Sequence, residues 1–508
     1  MKVSKFLKDL MTTGVTQVLV VLFGVVLLRI MASVLDVKNF GLFMVFRRAV
    51  PVLLPIVTLN LNIGLARYVS FEKEKARYYL HISLIIGTLL TVLTFIVLAL
   101  FSRFFSLAIF DSKDYINLVF LLGLFLFAEV IHLVIFSYFR GKMDMNIANA
   151  MRLLFMGFPV PLAGVFFIQG IDNYSTILYL FFLIYTIGGV IISLYYFKKE
   201  FSLALFKTIF KEGKAFNFEK SRGFIKYSLV RIPSLFLISL IFSFPVLYAN
   251  HKISAAAAGY IGIVVSVLHL LTLFSMPFNL IFLPKFSSLI KNNQMENIKN
   301  YSMIILDFIF TFLPIIAIML FGLTRHIVLL WFGPKYLITV DSVAAAILTS
   351  VFYLGYALIR GILDGLFEFP FINIINLAGL LTVVVLSLSI GKSIFALSAA
   401  LGCGLFILGI SAFFVLIKKL QLSIPWLKFL IALMGCGVLF LLLTVVDNKI
   451  AGLKLNTWYT FALCTFYRVI LFVMTGWFYW RKTLWYTEIL KRITIKVPIK
   501  EDAMMYEE

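Results

Sequence analysis

Five arginines stand inside segments that are otherwise apolar: Arg29, Arg47, Arg48, Arg231 and Arg468. Arg47 and Arg48 are adjacent in "NFGLFMVFRRAVPVLLPIV", only seven or eight residues into an apolar run. A charge at mid-bilayer costs about 2.5–3.5 kcal/mol even on the lenient insertion scale, so such a residue faces a bundle interior or a watery cavity. A guanidinium keeps its proton there, and its planar fork grips phosphate bidentately. At a rise of about 1.5 Å per residue, Arg29 and Arg47 both lie about 9–11 Å below one surface, and Arg231 lies about 7–10 Å from the other. Arg47 and Arg48 point about 100° apart, so they need not share a cavity. Snorkelling or pairing with a carboxylate is the competing role, chiefly for Arg231 and Arg468. Arg29, Arg47 and Arg48 have few acidic residues at their level, Asp36 lying at the boundary. Several arginines at one depth point to an anionic ligand.

The other polar intramembrane residues are fewer. Glu129 and His132 are three apart and share a helix face, which suits a proton relay or a cation site. A polar pair closing a helix contact, or Glu129 neutralising an arginine, fits the same spacing. Asp307 lies near the inner end of its span. Asn60, Asn62, Asn373 and Asn376 near span ends suit sugar hydroxyls as well as helix capping. The five histidines are scattered and no catalytic constellation forms. Cys403, Cys436 and Cys464 each sit alone in an apolar run, without metal or disulfide spacing, and read as small core residues. No cofactor or metal is expected.

The elements that must position these residues are membrane helices. The chain has 508 residues, 62% apolar and 13% charged, far from a soluble composition. Apolar runs longer than 18 residues recur. Fourteen spans are expected, at about 13–35, 40–62, 79–101, 115–139, 147–169, 175–197, 224–249, 256–278, 301–323, 339–360, 369–390, 394–417, 426–446 and 458–480. The first reads as an uncleaved span rather than a signal peptide. With the N-terminus inside, 31 of the 45 Lys and Arg fall in or beside inner segments, 9 in outer ones and 5 well within spans. This asymmetry places both termini in the cytoplasm and accounts for most of the net charge of +22.

The chain also repeats itself. "FLK" at Phe6–Lys8 returns as "FIK" at Phe224–Lys226. "FG" at Phe40–Gly41 returns as "AG" at Ala258–Gly259, and "LARYVS" at Leu65–Ser70 as "LPKFSS" at Leu283–Ser288. These pairs are offset by 218 residues, and "RGKMD" at Arg140–Asp144 returns as "RGILD" at Arg360–Asp364, offset by 220. Parallel repeats of this kind enclose a site between them. The expected organisation is a six-helix lobe over 1–200, a cytoplasmic linker over 201–222 and a second six-helix lobe over 223–420. Spans thirteen and fourteen follow over 421–482, then a cytoplasmic tail over 483–508. The linker has the composition of a connector or an amphipathic surface helix. Pro51, Pro55, Pro159, Pro161, Pro233, Pro245, Pro277 and Pro314 fall inside spans and can kink them.

"LLRIMASVLDVKNFGLFMVF…LNLNIGLARYVS" resembles the first two spans of the polysaccharide transporter family, which carries a similar R-x-L-G-x-x-x-F/Y-G-x-Y/F…G-L-x-x-A-x-x-R-Y run. "LLWFGPKYLITVDSVAAAILTSVFYLGYALIRGIL" resembles that family around its ninth and tenth spans. The similarity is one of pattern and topology along nearly the whole chain. It implies kinship with lipid II flippases and multidrug and toxin extrusion transporters. It further implies a flippase for a polyprenyl-pyrophosphate-linked oligosaccharide, such as an O-antigen, capsule or exopolysaccharide unit, in the bacterial inner membrane. A polysaccharide polymerase or ligase would act downstream. Arg29, Arg47 and Arg48 occupy places comparable to arginines that line a cationic cavity in lipid II flippases. The chain departs in having no matching arginine in span eight and Lys38–Asn39 before "FG".

The expectation is therefore an all-α integral membrane protein with two six-helix lobes around a central cavity and two extra C-terminal helices. It is not an enzyme. Arg29, Arg47, Arg48 and Arg231 hold the pyrophosphate, and Glu129 with His132 offers a possible ion-coupling pair. Two alternatives stand beside it. A cation-coupled multidrug exporter wants a carboxylate-rich cavity. A membrane glycosyltransferase or ligase wants large outer loops, whereas those here are short.

Overall fold

The computed structural model describes residues 5–169, 173–198, 200, 218–272, 275, 286, 289, 294–367, 371–423, 426–453 and 456–480. Among these residues every regular element is a helix. The first half of the chain runs α1 (Lys5–Val34), α2 (Val37–Thr58), α3 (Leu61–Phe71), α4 (Ala76–Leu100), α5 (Ser102–Phe110), α6 (Ile116–Gly141), α7 (Met145–Gly157), α8 (Pro159–Gln169) and α9 (Tyr174–Phe197). The second half runs α10 (Phe218–Leu229), α11 (Ile232–Lys252), α12 (Ala255–Leu271), α13 (Met295–Phe321), α14 (Thr324–Trp331), α15 (Val340–Leu366), α16 (Phe371–Ile390) and α17 (Ile394–Leu420). Two more helices follow, α18 (Trp426–Gly452) and α19 (Thr457–Trp480).

Twelve described stretches are long and apolar enough to cross a bilayer. The other two expected spans, eight and fourteen, coincide with shorter apolar helices over Ala255–Leu271 and Trp458–Met474. Leu433, Val438, Leu441 and Val445 on α18 are exposed, as are Leu377, Leu381, Val385 and Leu388 on α16. Apolar surface on this scale is covered by lipid in a multi-pass membrane protein. Most of the expected linker, residues 201–217, lies outside the described residues, as do the tail 483–508 and Pro277. So does the "LPKFSS" repeat apart from Phe286.

Several span ends have local causes. Asp36 caps α2, its Oδ1 accepting from the Asn39 backbone N–H at 3.0 Å and from Asn39 Nδ2 at 2.7 Å. The departure at Lys38–Asn39 is thus a capping arrangement. Ser254 and Ser393 cap α12 and α17 in the same way. Spans two and seven are each broken, where the sequence pattern predicts continuous helices. Leu59 and Asn60 take left-handed backbone conformations, φ 46° and 52°, and separate α2 from α3. Pro233 falls in the first turn of α11, so it starts a helix after a break at Val230–Arg231 rather than kinking one.

The two halves meet along α2. It packs on α11 and α12, and α3 packs on α10. Gly41 and Gly259, the repeat-related pair, cross in direct contact: a Cβ built on Gly259 would stand 3.1 Å from the Gly41 Cα. A Cβ on Gly41 would overlap the Ala255 carbonyl oxygen. At the other end, a Cβ on Gly64 would press on Ser228 and Phe224 of α10. Tyr68 packs edge-on against Phe224 and Tyr227, and Arg67 lies 4.4 Å over the Tyr227 ring. The segment after α13 also reaches α1. Trp331 Nε1 donates to Val25 O at 2.9 Å, and Lys335 Nζ donates to Leu35 O at 2.7 Å. The halves therefore touch at both ends of α2–α3.

α18 and α19 pack on α13 through a small separate cluster, Ile315, Met319, Cys436, Leu439 and Leu443. Cys436 and Cys464 are buried as expected, but Cys403 is exposed on α17.

Candidate functional site

Arg47 lies on the fourth turn of α2, between the buried aromatic faces of α6 and α9. Phe46 stacks on Phe182 with centroids 3.7 Å apart, and Phe125 meets both Phe182 and Tyr185 edge-on. Such pairs contribute about 0.5–1.5 kcal/mol each beyond area burial and hold the helix in register. Beside them opens a cavity of about 290 Å³ lined by Gly24, Leu27, Arg47, Glu129 and Tyr185. The Arg47 guanidinium lies 5.5 Å from the Phe43 ring centroid, and its Nη1 is buried with no hydrogen-bond partner.

Arg48 turns away from that cavity, as the 100° step predicts. Its carbonyl accepts a hydrogen bond from Ser243 Oγ at 2.9 Å across the junction between the halves. Its Nε is buried and unpartnered. His269 is among its electrostatic neighbours and lines a second cavity, about 360 Å³, with Tyr353, Tyr356, Arg360 and Asp364. Neither Arg47 nor Arg48 makes an ion pair among the described residues.

The other expected residues separate. Arg29 is exposed near the C-terminal end of α1, within reach of Gly333 and an electrostatic neighbour of Lys335. It does not line Arg47's cavity. Arg231 precedes α11, stacks 3.7 Å from the Tyr227 centroid and donates from Nη1 to Tyr227 O at 3.2 Å. It lines a small cavity of about 60 Å³ together with Arg360, Asp364 and Asn373. Arg468 is a structural ion pair: its Nη2 donates to Asp447, which also accepts from Tyr467 Oη. Asp447 lies just past the expected end of span thirteen, which α18 overruns to Gly452. Glu129 lines the Arg47 cavity and has Arg152 of α7 as an electrostatic neighbour. His132 does not line it. Its ring is clamped between Phe155, 3.8 Å away, and Phe136, so the two share a helix but not a cavity.

Sequence reasoning missed Arg360, Asp364 and Arg152 as site residues. Arg360 and Asp364 had been met only as the "RGILD" repeat, although their i,i+4 spacing is that of a helix-surface ion pair. The structure sets Arg360 Nε 3.6 Å from Asp364 Oδ2. The first-half copy has diverged: Asp144 pairs with Lys142 at 3.6 Å, while Arg140 lies over Phe136.

No family model and no curated protein matches the chain. Solved structures do. The lipid II flippase MurJ in an inward closed conformation aligns over 93% of this chain and 98% of its own, with a TM-score of 0.68 at 14% identity. A MATE structure in complex with MaL6 aligns over 82% and 96%, with a TM-score of 0.59 at 13% identity. An inward-facing multidrug-resistance MATE transporter of the MOP superfamily aligns over 80% and 94%, with a TM-score of 0.58 at 15% identity. The chain has the MurJ/MATE-like transporter fold. MurJ is a lipid II flippase and the third structure a multidrug-resistance transporter, and what this chain shares with them is the fold.

Proposed function

We propose that the protein is a flippase that carries a polyprenyl-pyrophosphate-linked oligosaccharide from the inner to the outer leaflet for cell-surface polysaccharide assembly. The observation that carries this reading is the state of Arg47 and Arg48. Each presents a buried guanidinium nitrogen without a partner, and Arg47 lines the cavity of about 290 Å³. A buried donor left unmade costs about 1–3 kcal/mol, more when charged, unless a ligand completes it. A pyrophosphate supplies acceptors and the opposite charge, and arginine matches its geometry.

In this reading 1–200 and 223–420 act as lobes, with both termini cytoplasmic. Arg47 and Arg48 hold the pyrophosphate, Arg231 meets the headgroup near the inner face, and Arg29 meets it near the outer one. The α3–α10 contact is the inner gate, and the α2–α12 crossing with the Trp331 and Lys335 hydrogen bonds is the outer gate. Opening them in turn gives alternating access. The polyprenyl tail stays in lipid alongside α18 and α19.

The test is mass spectrometry of lipid extracts from cells lacking the gene. Accumulation of a polyprenyl-pyrophosphate oligosaccharide on the inner leaflet, in a protection assay, is expected. R47A/R48A in place of the wild type should slow transport about tenfold or more, the scale of losing charged hydrogen bonds. Full transport by that variant would sink the anion-site assignment. The rival, a cation-coupled multidrug exporter, shares the fold and has Glu129 in its favour as a cavity carboxylate. An unchanged lipid-linked pool with new sensitivity to cationic drugs would establish it instead.

A further inference from the structure

The second cavity is built differently from the surroundings of Arg47 and Arg48. Arg360 and Asp364 stand on one face of α15, and both line the 360 Å³ cavity and the small one beside it. Their side chains are 30% and 37% exposed. Arg360 Nη2 donates to Ser234 Oγ of α11 at 3.2 Å. Ser234 accepts through its carbonyl from Asn376 Nδ2 of α16 at 3.0 Å. Asn376 Oδ1 accepts from Tyr356 Oη at 2.6 Å, which returns the chain of bonds to α15. Asn376 and Tyr356 are fully buried, so three helices fix the Arg360 guanidinium. Tyr353 stacks on Tyr356 and lines the cavity, making no hydrogen bond among the described residues.

Two further groups face the same space. Asn373 Oδ1 is buried and unpartnered on the wall of the small cavity. His269 lines the larger cavity, and its Nδ1 donates to Val265 O at 2.8 Å, which leaves Nε2 of the neutral ring as an acceptor. The walls therefore offer both donors and acceptors, with aromatic rings among them; in the larger cavity the Arg360 charge is matched by Asp364, while the small cavity adds Arg231. In the larger cavity neither sign dominates, which disfavours both a free anion and an organic cation. Vicinal hydroxyls, each donating and accepting, match the pair, and the apolar face of a pyranose packs on tyrosine rings. The volume falls in the range of about 300–1,000 Å³ usual for small-molecule pockets.

We propose that Arg360, Asp364, Tyr353, Asn373 and His269 form a subsite for an uncharged sugar unit of the cargo, separate from the residues that hold the pyrophosphate. The subsite rests on the flippase reading and gives it a division of labour: the charge is bound by Arg47 and Arg48, the glycan by the second half of the chain.

The experiment compares two lipids on the full-length protein in nanodiscs: a free polyprenyl pyrophosphate, and the polyprenyl-pyrophosphate-linked oligosaccharide extracted from the source membrane. D364N should weaken binding of the oligosaccharide lipid about tenfold or more, the scale of a lost charged hydrogen bond, and leave the sugar-free lipid unchanged. Y353F keeps the ring, breaks no recorded bond and should act in the same direction by a smaller factor, which serves if D364N is not monodisperse. R47Q/R48Q should weaken both lipids alike. Equal losses for both lipids in D364N and Y353F, or no loss for either, would overturn the sugar subsite alone. A wild-type protein that binds neither lipid would overturn the flippase reading and the subsite with it.

Discussion

Asp447 and Arg468 show what a paired membrane arginine looks like beside the unpaired ones. Arg468 is almost fully buried; Asp447 accepts from its Nη2 and the Cys464 carbonyl from its Nη1, while its Nε is left without a partner, so what sets it apart from Arg47 and Arg48 is the ion pair. Removing one partner of such a pair leaves an uncompensated charge, which costs about 3–5 kcal/mol when both are buried and less here, because Asp447 is 27% exposed. D447N should therefore lower the thermal midpoint of the purified protein, and D447N/R468M should recover most of the loss. A double variant no better than the single one would show that the charge itself was not the problem. The sequence exposed the intramembrane arginines because they interrupt apolar runs. It marked Arg468 as a candidate for pairing but did not name Asp447, since that partner sits past the expected end of another span. Nor did it show that Arg29 and Arg47, expected at one depth, face different surroundings, because depth along a helix says nothing of direction around it.

Helices were legible where apolar runs are long. Breaks were not, because Leu59–Asn60 and Val230–Arg231 carry no glycine, and only Pro233 hints at the second. The Gly41–Gly259 crossing was visible only as half of a weak repeat, yet it sets how closely α2 approaches α12. Gly41→Ala must push the helices apart, an overpacking cost of about 1–3 kcal/mol, and should lower the thermal midpoint. Gly14→Ala on α1, where a Cβ meets nothing within 4 Å, should leave it unchanged or raise it through better helix propensity. Equal behaviour of the two variants would remove the crossing from the account. The inner end of α9 offers a pH test. Burial opposes ionisation of Glu200, but hydrogen bonds from Lys142 and Tyr138 and the charges of Lys142 and Arg77 outweigh it and hold the carboxyl below its ordinary 4.5. A lowered folded value adds stability above the unfolded pKa, and that stability is lost as pH falls through the folded one. Acid unfolding monitored below about pH 4.5 should thus be less steep in E200Q.

At the scale of the whole molecule, the parallel repeat and the inner excess of Lys and Arg pointed to two halves around a central space, but contacts between the halves could not be read from one sequence. They depend on which residues α2 and α3 turn toward α10, α11 and α12. In the structure the halves touch at both ends of α2–α3, so on the flippase reading one of these contacts must open. The α3–α10 contact is the better place to test this, because a Cβ on Gly64 would stand 2.2 Å from Ser228 Oγ, close enough for cysteines at the two positions to bridge once the helices yield slightly. In a background without Cys403, Cys436 and Cys464, G64C/S228C should crosslink on oxidation, lose transport, and regain it on reduction, while either single variant keeps transport throughout. Crosslinking to completion with undiminished transport would mean that α3 and α10 never part. The substrate would then have to pass by a route other than between the halves, and the unpaired arginines of α2 would need a different explanation.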